Sequence, residues 1–336
     1  MCECNWGLYG FLGTEKYPDP GEYQQFIKSH GGQHNAFTAF QDTNYFFDVQ
    51  AEFLEPALDR FAQQFSAPLF TAELVDRERN AVHSEFSAKQ KDDGRRFYSV
   101  KKAVSNPDHA FSHFAVGNLS TLENTEANPL RPDLIEFWKQ HYSSNIMSLA
   151  VYGPQTLDEL ESMVRGRFDA IENRNLETKR HVASLYRSDE LPAKVTAEAL
   201  KDVRSLSLTF PIPSQEANYR TKPASYVANL LGHEGRGSLL SFLKREGLAN
   251  SLVASTSTEL ADFRTFEISV DLTEKGEKRW RDVSRAVLSY VSMLRADGAV
   301  PPYVFDEVVA STDAHLTVEA IGADRCALYG AVEGGA

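Results

Sequence analysis

Three groups of residues have types and spacings that could do chemistry. In His30-Gly31-Gly32-Gln33-His34 two imidazoles stand four residues apart. On a helix that spacing puts both on one face, and a glutamate in the fourth position would make a zinc motif. Gln33 stands there instead and cannot act as a base, and Gly31-Gly32 ends a helix more readily than it continues one. The plain expectation is a helix C-terminus followed by a strand. In Val75 to Glu85, Glu78 and Glu85 are seven apart, two helical turns, so both carboxylates project from one face. They could ligate or support a metal, or form a solvated acidic face. Gly232-His-Glu-Gly-Arg-Gly-Ser238 has the glycines of a phosphate loop but lacks the lysine after the last one. It reads as a tight turn into a helix, with backbone N–H groups free to meet a carboxylate or a peptide end.

The elements that must position these residues follow from periodicity. Gly21 to Ser29 reads as a short helix with Tyr23, Phe26 and Ile27 inward, stopped by Gly31-Gly32. Asn35 to Phe40 and Thr43 to Val49 read as two strands around a Gln41-Asp42 turn. Leu54, Leu58, Phe61 and Phe65 recur at helical spacing up to Pro68. A long polar helix from about Thr71 to Lys91 carries Glu78 and Glu85. Helices at Phe97 to Val104, Pro132 to Tyr142 and Leu157 to Ile171 and a strand at Met147 to Tyr152 complete a mixed α+β layer. Glu172 to Asp189 is polar and aperiodic, a linker. A second unit follows with strands at Val203 to Ile212, Ser251 to Ser257 and Phe263 to Leu272. Its helices are Pro223 to Leu231, Ser238 to Glu246 and Gly276 to Arg295. After Val309 no helix or strand pattern is visible.

Composition bounds the function. The 336 residues carry 35 basic and 47 acidic side chains, a net charge of −12. That balance argues against nucleic acid as a partner, because phosphate neutralisation needs clustered Lys and Arg. No apolar run is long enough to span a membrane. Three cysteines (Cys2, Cys4, Cys326) give no disulfide framework. The first residues have neither the positive nor the apolar region of a signal peptide.

Many blocks resemble one family in register. FLGTEKYPDPGEYQQFI, GGQHNAFTAFQDTNYFFDV, LEPALDRFAQQF, DRERNAVHSEF, HYSSNIMSLAVYG, LTFPIP, LLGHEGRGSLL and ISVDLTEKG are similar to the insulinase/pitrilysin family of inverted-motif zinc metallopeptidases. The similarity runs from about Phe11 to Val308. It implies an α+β fold of two consecutive α/β-roll units, each a mixed sheet with helices packed on one face. The boundaries it implies are an atypical 1–10, a catalytic-type domain 11–172, a linker 173–189, a non-catalytic middle-type domain 190–308 and an atypical tail 309–336.

In that family His-x-x-Glu-His directly precedes the Phe-Leu-Gly-Thr segment, here residues 11–14. In this register the histidines would fall at Cys4 and Leu8 and the catalytic glutamate at Gly7. The resemblance makes Glu85 the remaining zinc ligand and Glu78 the acid that supports a ligand histidine. The strand Asn35-Ala36-Phe37-Thr38 matches the edge along which substrate backbone is bound. Zinc is therefore the family's metal but is not expected on this chain, since one remaining ligand does not make a catalytic site. The expectations are a peptidase relative inactive by itself, whose partner is peptide or unfolded polypeptide, or a non-catalytic peptide binder assisting a partner. The economical reading of both ends is a fragment whose first unit lacks its N-terminal strands. Its apolar face around Phe46, Val49, Phe61 and Phe65 would then be uncovered and its sheet edge open to self-association. Read as written the chain is cytoplasmic, whereas bacterial relatives resembling it are often periplasmic.

Overall fold

The computed structural model describes residues 13–178, 183–259, 263–296, 300, 302–310 and 326–333. The chain divides into one unit of residues 1–196 with 322–336 and another of residues 197–321.

In the first unit, strands β1 (Gln33–Thr38), β2 (Asp42–Val49), β3 (Met147–Tyr152) and β7 (Cys326–Glu333) form one sheet in the order β1-β2-β7-β3. Helices α1 (Glu22–Ser29), α2 (Leu54–Ser66) and α6 (Leu157–Phe168) supply the core beside it. On β2 the period of two turns Tyr45, Phe47 and Val49 inward. On α2 the stripe Leu54, Ala57, Leu58, Phe61, Ala62 and Phe65 meets them. Phe61 lies at the centre, its ring 5.2 Å from Phe47 and 5.1 Å from Phe65. Burying a side chain of this size contributes about 1.5–3 kcal/mol.

Two expectations are corrected here. The face around Val49, Phe61 and Phe65 is not uncovered, because all three are core residues and Phe46, on the other side of β2, is half-buried. The tail also has a strand. β7 pairs antiparallel with β2 from Asp42↔Glu333 to Val49↔Cys326 and with β3 from Met147↔Val332 to Tyr152↔Ala327. Its sequence, CALYGAVE, has small residues at alternating and adjacent positions that erase any period-two signal. Two neighbouring ladders, not its pattern, define it. Every ladder among the described residues is antiparallel.

A second cluster in this unit seats α3 (Ala72–Lys89) and α5 (Leu130–His141), with Val75 and Val82 of α3 against Leu122, Leu130 and Leu134. Helix α4 (Asp93–Ala103) follows α3, with Asp92 capping the Arg95 N–H. The polar stretch after Phe168 is anchored at Leu185. Leu185 is buried, and its carbonyl accepts a 2.7 Å hydrogen bond from the Asn106 N–H.

In the second unit β4 (Ser205–Pro213), β5 (Ala249–Glu259) and β6 (Phe263–Leu272) form a sheet ordered β4-β6-β5. Its helices are α7 (Pro223–Gly232), α8 (Leu239–Arg245), α9 (Glu274–Lys278), α10 (Trp280–Leu294) and α11 (302–310). The helix expected over Gly276 to Arg295 is broken at Arg279, whose φ of −111° and ψ of 29° leave the helical region. Gly276 is pressed so closely on Leu248 that a Cβ would stand 1.8 Å from its carbonyl oxygen. After the break, Val283 and Val287 of α10 enter the core.

One residue of α2 breaks the pattern. Gln64 is buried, and among the described residues neither its Oε1 nor its Nε2 has a hydrogen-bond partner. An unsatisfied buried amide costs about 1–3 kcal/mol. Gln64→Met, which keeps the volume and removes the polar atoms, should therefore raise the urea midpoint without changing the slope. A lowered midpoint would contradict this account of the site.

Candidate functional site

The site begins with the way β1 is held. Helix α1 ends at Ser29, and Gly31 turns the chain with φ +70°, a conformation that favours glycine. Gly32 then passes so near β2 that a Cβ would stand 2.0 Å from the Asp48 carbonyl oxygen. No other residue fits there without moving one strand. From this point β1 runs antiparallel to β2, Gln33↔Asp48 through Thr38↔Thr43. Among the described residues no strand lies on its other side.

The phase of the ladder decides which backbone groups face that open side. The Ala39 N–H donates to the Asp42 carbonyl at 2.8 Å. Residues 37, 35 and 33 therefore also face β2, and the N–H and C=O of His34, Ala36 and Thr38 point outward. Asn35, Phe37 and Thr38 are exposed, and the Ala36 side chain is buried beneath the sheet. The outward Ala36 N–H donates to Oδ1 of Asn35 at 2.9 Å. All four residues that the sequence marks as an edge are thus brought together on one edge strand. The role of the Asn35 side chain is not legible in the sequence, because it depends on the ladder phase.

The sheet of the second unit treats its edges differently. The Leu272 N–H donates to Arg204 O, so odd-numbered residues of β4 face outward. Pro211 and Pro213 are both odd, and each removes one outward donor. Two prolines two apart in a strand pattern signal this, since backbone direction alternates with period two. On β5 the outward set includes Ala254. Helix α7 packs along that edge, with Gly232 placed so that a Cβ would come 3.7 Å from the Ala254 nitrogen.

The two histidines near β1 are separated by the glycine turn. His30 Nδ1 lies 2.7 Å from Phe26 O, with its ring between Phe26 and Phe53. His34 stands on β1 with its ring centroid 5.5 Å from that of Tyr23. Burial, and then repulsion from Lys28, hold the His34 pKa below the usual imidazole value. The loop Gly232 to Ser238 folds onto itself. Gly235 N–H donates to His233 Nδ1 at 3.0 Å, and Ser238 caps the Ser241 N–H at 3.1 Å.

Glu78 and Glu85 share α3 and both follow a buried valine by three residues. Glu78 is half-buried, 3.6 Å from Arg77, and Glu85 is exposed. Seven residues of helix separate them by roughly 10 Å along the axis, so they do not share one ion's coordination shell. Among the described residues no three His, Cys, Asp or Glu side chains are grouped to hold a metal. Two carboxylates at this separation do not by themselves make a catalytic zinc site, which needs three protein ligands and an open position.

Two units, each with an antiparallel sheet and packed helices, make a protein of the α+β class. Residues 9–112 match the family model described as insulinase (peptidase family M16), and residues 130–312 match the peptidase M16 inactive domain. The chain belongs to the insulinase/pitrilysin family, peptidase family M16. The insulin-degrading enzymes of Bos taurus and Homo sapiens are each 42% identical to it over 300 residues, 88% of this chain and 29% of theirs. The A-factor-processing enzyme of Saccharomyces cerevisiae is 36% identical over 301 residues, 89% of this chain. The crystal structure of pitrilysin superposes with a TM-score of 0.77 at 29% identity, over 90% of this chain and 32% of that one. The chain thus spans less than a third of the length of these relatives. Zinc is the metal expected of the family. Among the described residues no helix is long and apolar enough to cross a membrane.

The lowered His34 pKa makes a prediction about the edge. The unfolded chain binds more protons near the usual imidazole pKa, so this group's stabilisation is complete above that value. It is lost as pH falls through the lower folded pKa. Between about pH 7.5 and about pH 5.5 wild type should lose more stability than His34→Gln. Parallel denaturation curves for the two proteins at both pH values would show that His34 does not contribute.

Proposed function

We propose that this chain binds extended peptide or unfolded polypeptide along the outer edge of β1 and does not hydrolyse it by itself. The observation that carries this reading is the outward-facing backbone of Ala36 and Thr38 on a strand paired on one side only among the described residues. A peptide in extended form adds to such an edge through main-chain hydrogen bonds and needs no metal. Exposed Phe37 and Asn35 would flank the added strand and contact its alternate side chains. The same edge is where a second copy would attach, so concentration-dependent association is part of this reading.

Hydrolysis would require a water activated by zinc, and the family's ligand and base positions carry Cys4, Gly7 and Leu8. Glu85 as a remaining ligand and Glu78 as its support favour a second reading. In it the sequence contributes α3 to a zinc endopeptidase whose other ligands lie outside it, or assists a catalytic partner.

The purified full chain should carry well under one equivalent of zinc and leave a quenched flexible peptide uncut. Stoichiometric zinc with chelator-sensitive cleavage would overturn this and redirect attention to His30 and His34. Fluorescence anisotropy should show weak binding of the same peptide, reduced by Ala36→Pro and by Thr38→Pro. Each removes one outward donor while leaving the bonds to β2 in place. Unchanged affinity in both variants would move the binding elsewhere.

A further inference from the structure

The pairing of Asn35 Oδ1 with the Ala36 N–H has a consequence for any strand that adds to β1. This donor lies in the middle of the outward set, two residues from His34 and two from Thr38. An added strand must place a carbonyl oxygen on it, and that position is already filled by a side chain of the same strand, at 2.9 Å. Asn35 is exposed and close to its partner in sequence, so the contact forms with little ordering and breaks with little cost. The Thr38 hydroxyl lies 3.2 Å from that of Thr43, across the hairpin, and among the described residues no side-chain acceptor meets the Thr38 N–H.

Resting on the strand-addition reading above, we infer that Asn35 is a displaceable guard of the β1 edge. It satisfies the central outward donor when no strand is bound and must swing away before one can pair. The guard lowers affinity for every extended strand equally, whether peptide or second copy, because it competes for a backbone group. The register is completed only when the peptide carbonyl replaces Oδ1 at Ala36. A bulkier or charged residue would not do the same work. An aspartate would hold the N–H more strongly through a charge-assisted bond, and an alanine would leave it to water.

The test uses the full chain and a fluorescein-labelled, proline-free peptide rich in Thr, Val and Ser. Asn35→Ala should bind about two- to fivefold more tightly than wild type. Asn35→Asp should bind more weakly than wild type, and the double variant Asn35→Ala/Thr38→Pro should lose the gain. By amide exchange, the Ala36 N–H of Asn35→Ala should exchange faster than in wild type, while Phe37, which faces β2, should not change. If Asn35→Ala binds more weakly or equally, while Ala36→Pro and Thr38→Pro still impair binding, the guard is wrong and the edge reading stands. If neither proline variant impairs binding, the edge reading and the guard both fall. An unchanged Ala36 exchange rate in Asn35→Ala would remove the physical basis of the inference on its own.

Discussion

A β-strand paired on one side only carries a row of N–H and C=O groups that something must satisfy, and the architecture of both units turns on how that is done. Each row is given a different partner. In the first unit β7 lies between β2 and β3 and completes both ladders at once. In the second, α7 lies along β5, and Pro211 and Pro213 delete two of the outward donors of β4. On β1 the central donor is met by a side chain of the neighbouring residue. The first two solutions are permanent, because a strand or a helix has to be unpacked to undo them. The third is reversible, because it holds one exposed amide.

Such an edge is useful only if it is rigid, and rigidity reaches β1 from the core. Ile27, Val49, Leu54, Leu58 and Phe61 are all fully buried, so α1, β2 and α2 move together. The chain leaves α1 through Gly31 and touches the β2 backbone at Gly32, which pins the first residue of the ladder. At the other end the Ala39 to Asp42 bond fixes the turn. Between two fixed ends the phase of the hydrogen bonds cannot slip by one residue without turning Ala36 outward and Phe37 into the core. The outward direction of the Ala36 N–H thus follows from packing and from two glycines.

Elements with strong periodicity were readable in the sequence because their own side chains decide them. The stripe from Leu54 to Phe65 and the Gly31-Gly32 stop occur as their spacing implies, and Thr43 to Val49 lies in a strand as its β-forming residues imply. What sequence reading misses is decided by partners distant in the chain. β7 has no pattern of its own and is defined by β2 and β3, 285 and 181 residues earlier by its pairings Tyr45↔Gly330 and Leu149↔Gly330. The close approach of Gly276 to the Leu248 carbonyl likewise joins residues 28 apart in the chain. The edge residues Asn35 to Thr38 were reached through family resemblance, and their alternation alone is too weak to mark them. Asn35 as a hydrogen-bond acceptor required the ladder phase, which no local pattern encodes.

The energetics of strand addition limit what such an edge does alone. Each main-chain hydrogen bond contributes about 0.5–1.5 kcal/mol net in water. Three outward residues offer only a few of them, against an association cost of at least about 4 kcal/mol. Backbone pairing by itself therefore yields an affinity no better than about millimolar. Stronger binding must come from side chains of the added strand, and the surface beside it is apolar where Phe37 stands 52% exposed with its ring 6.3 Å from that of Phe46. A peptide with an aromatic or branched residue opposite Phe37 gains both ladder bonds and apolar contact. One with Gly or Asp there gains only the ladder. Selectivity on this edge is thus set by the exposed face of β1, while the guard at Ala36 sets a threshold common to all ligands. The two properties reside on adjacent residues, Asn35 and Phe37 on one side of the strand and Ala36 on the other, and alternate along β1 as the pleat requires.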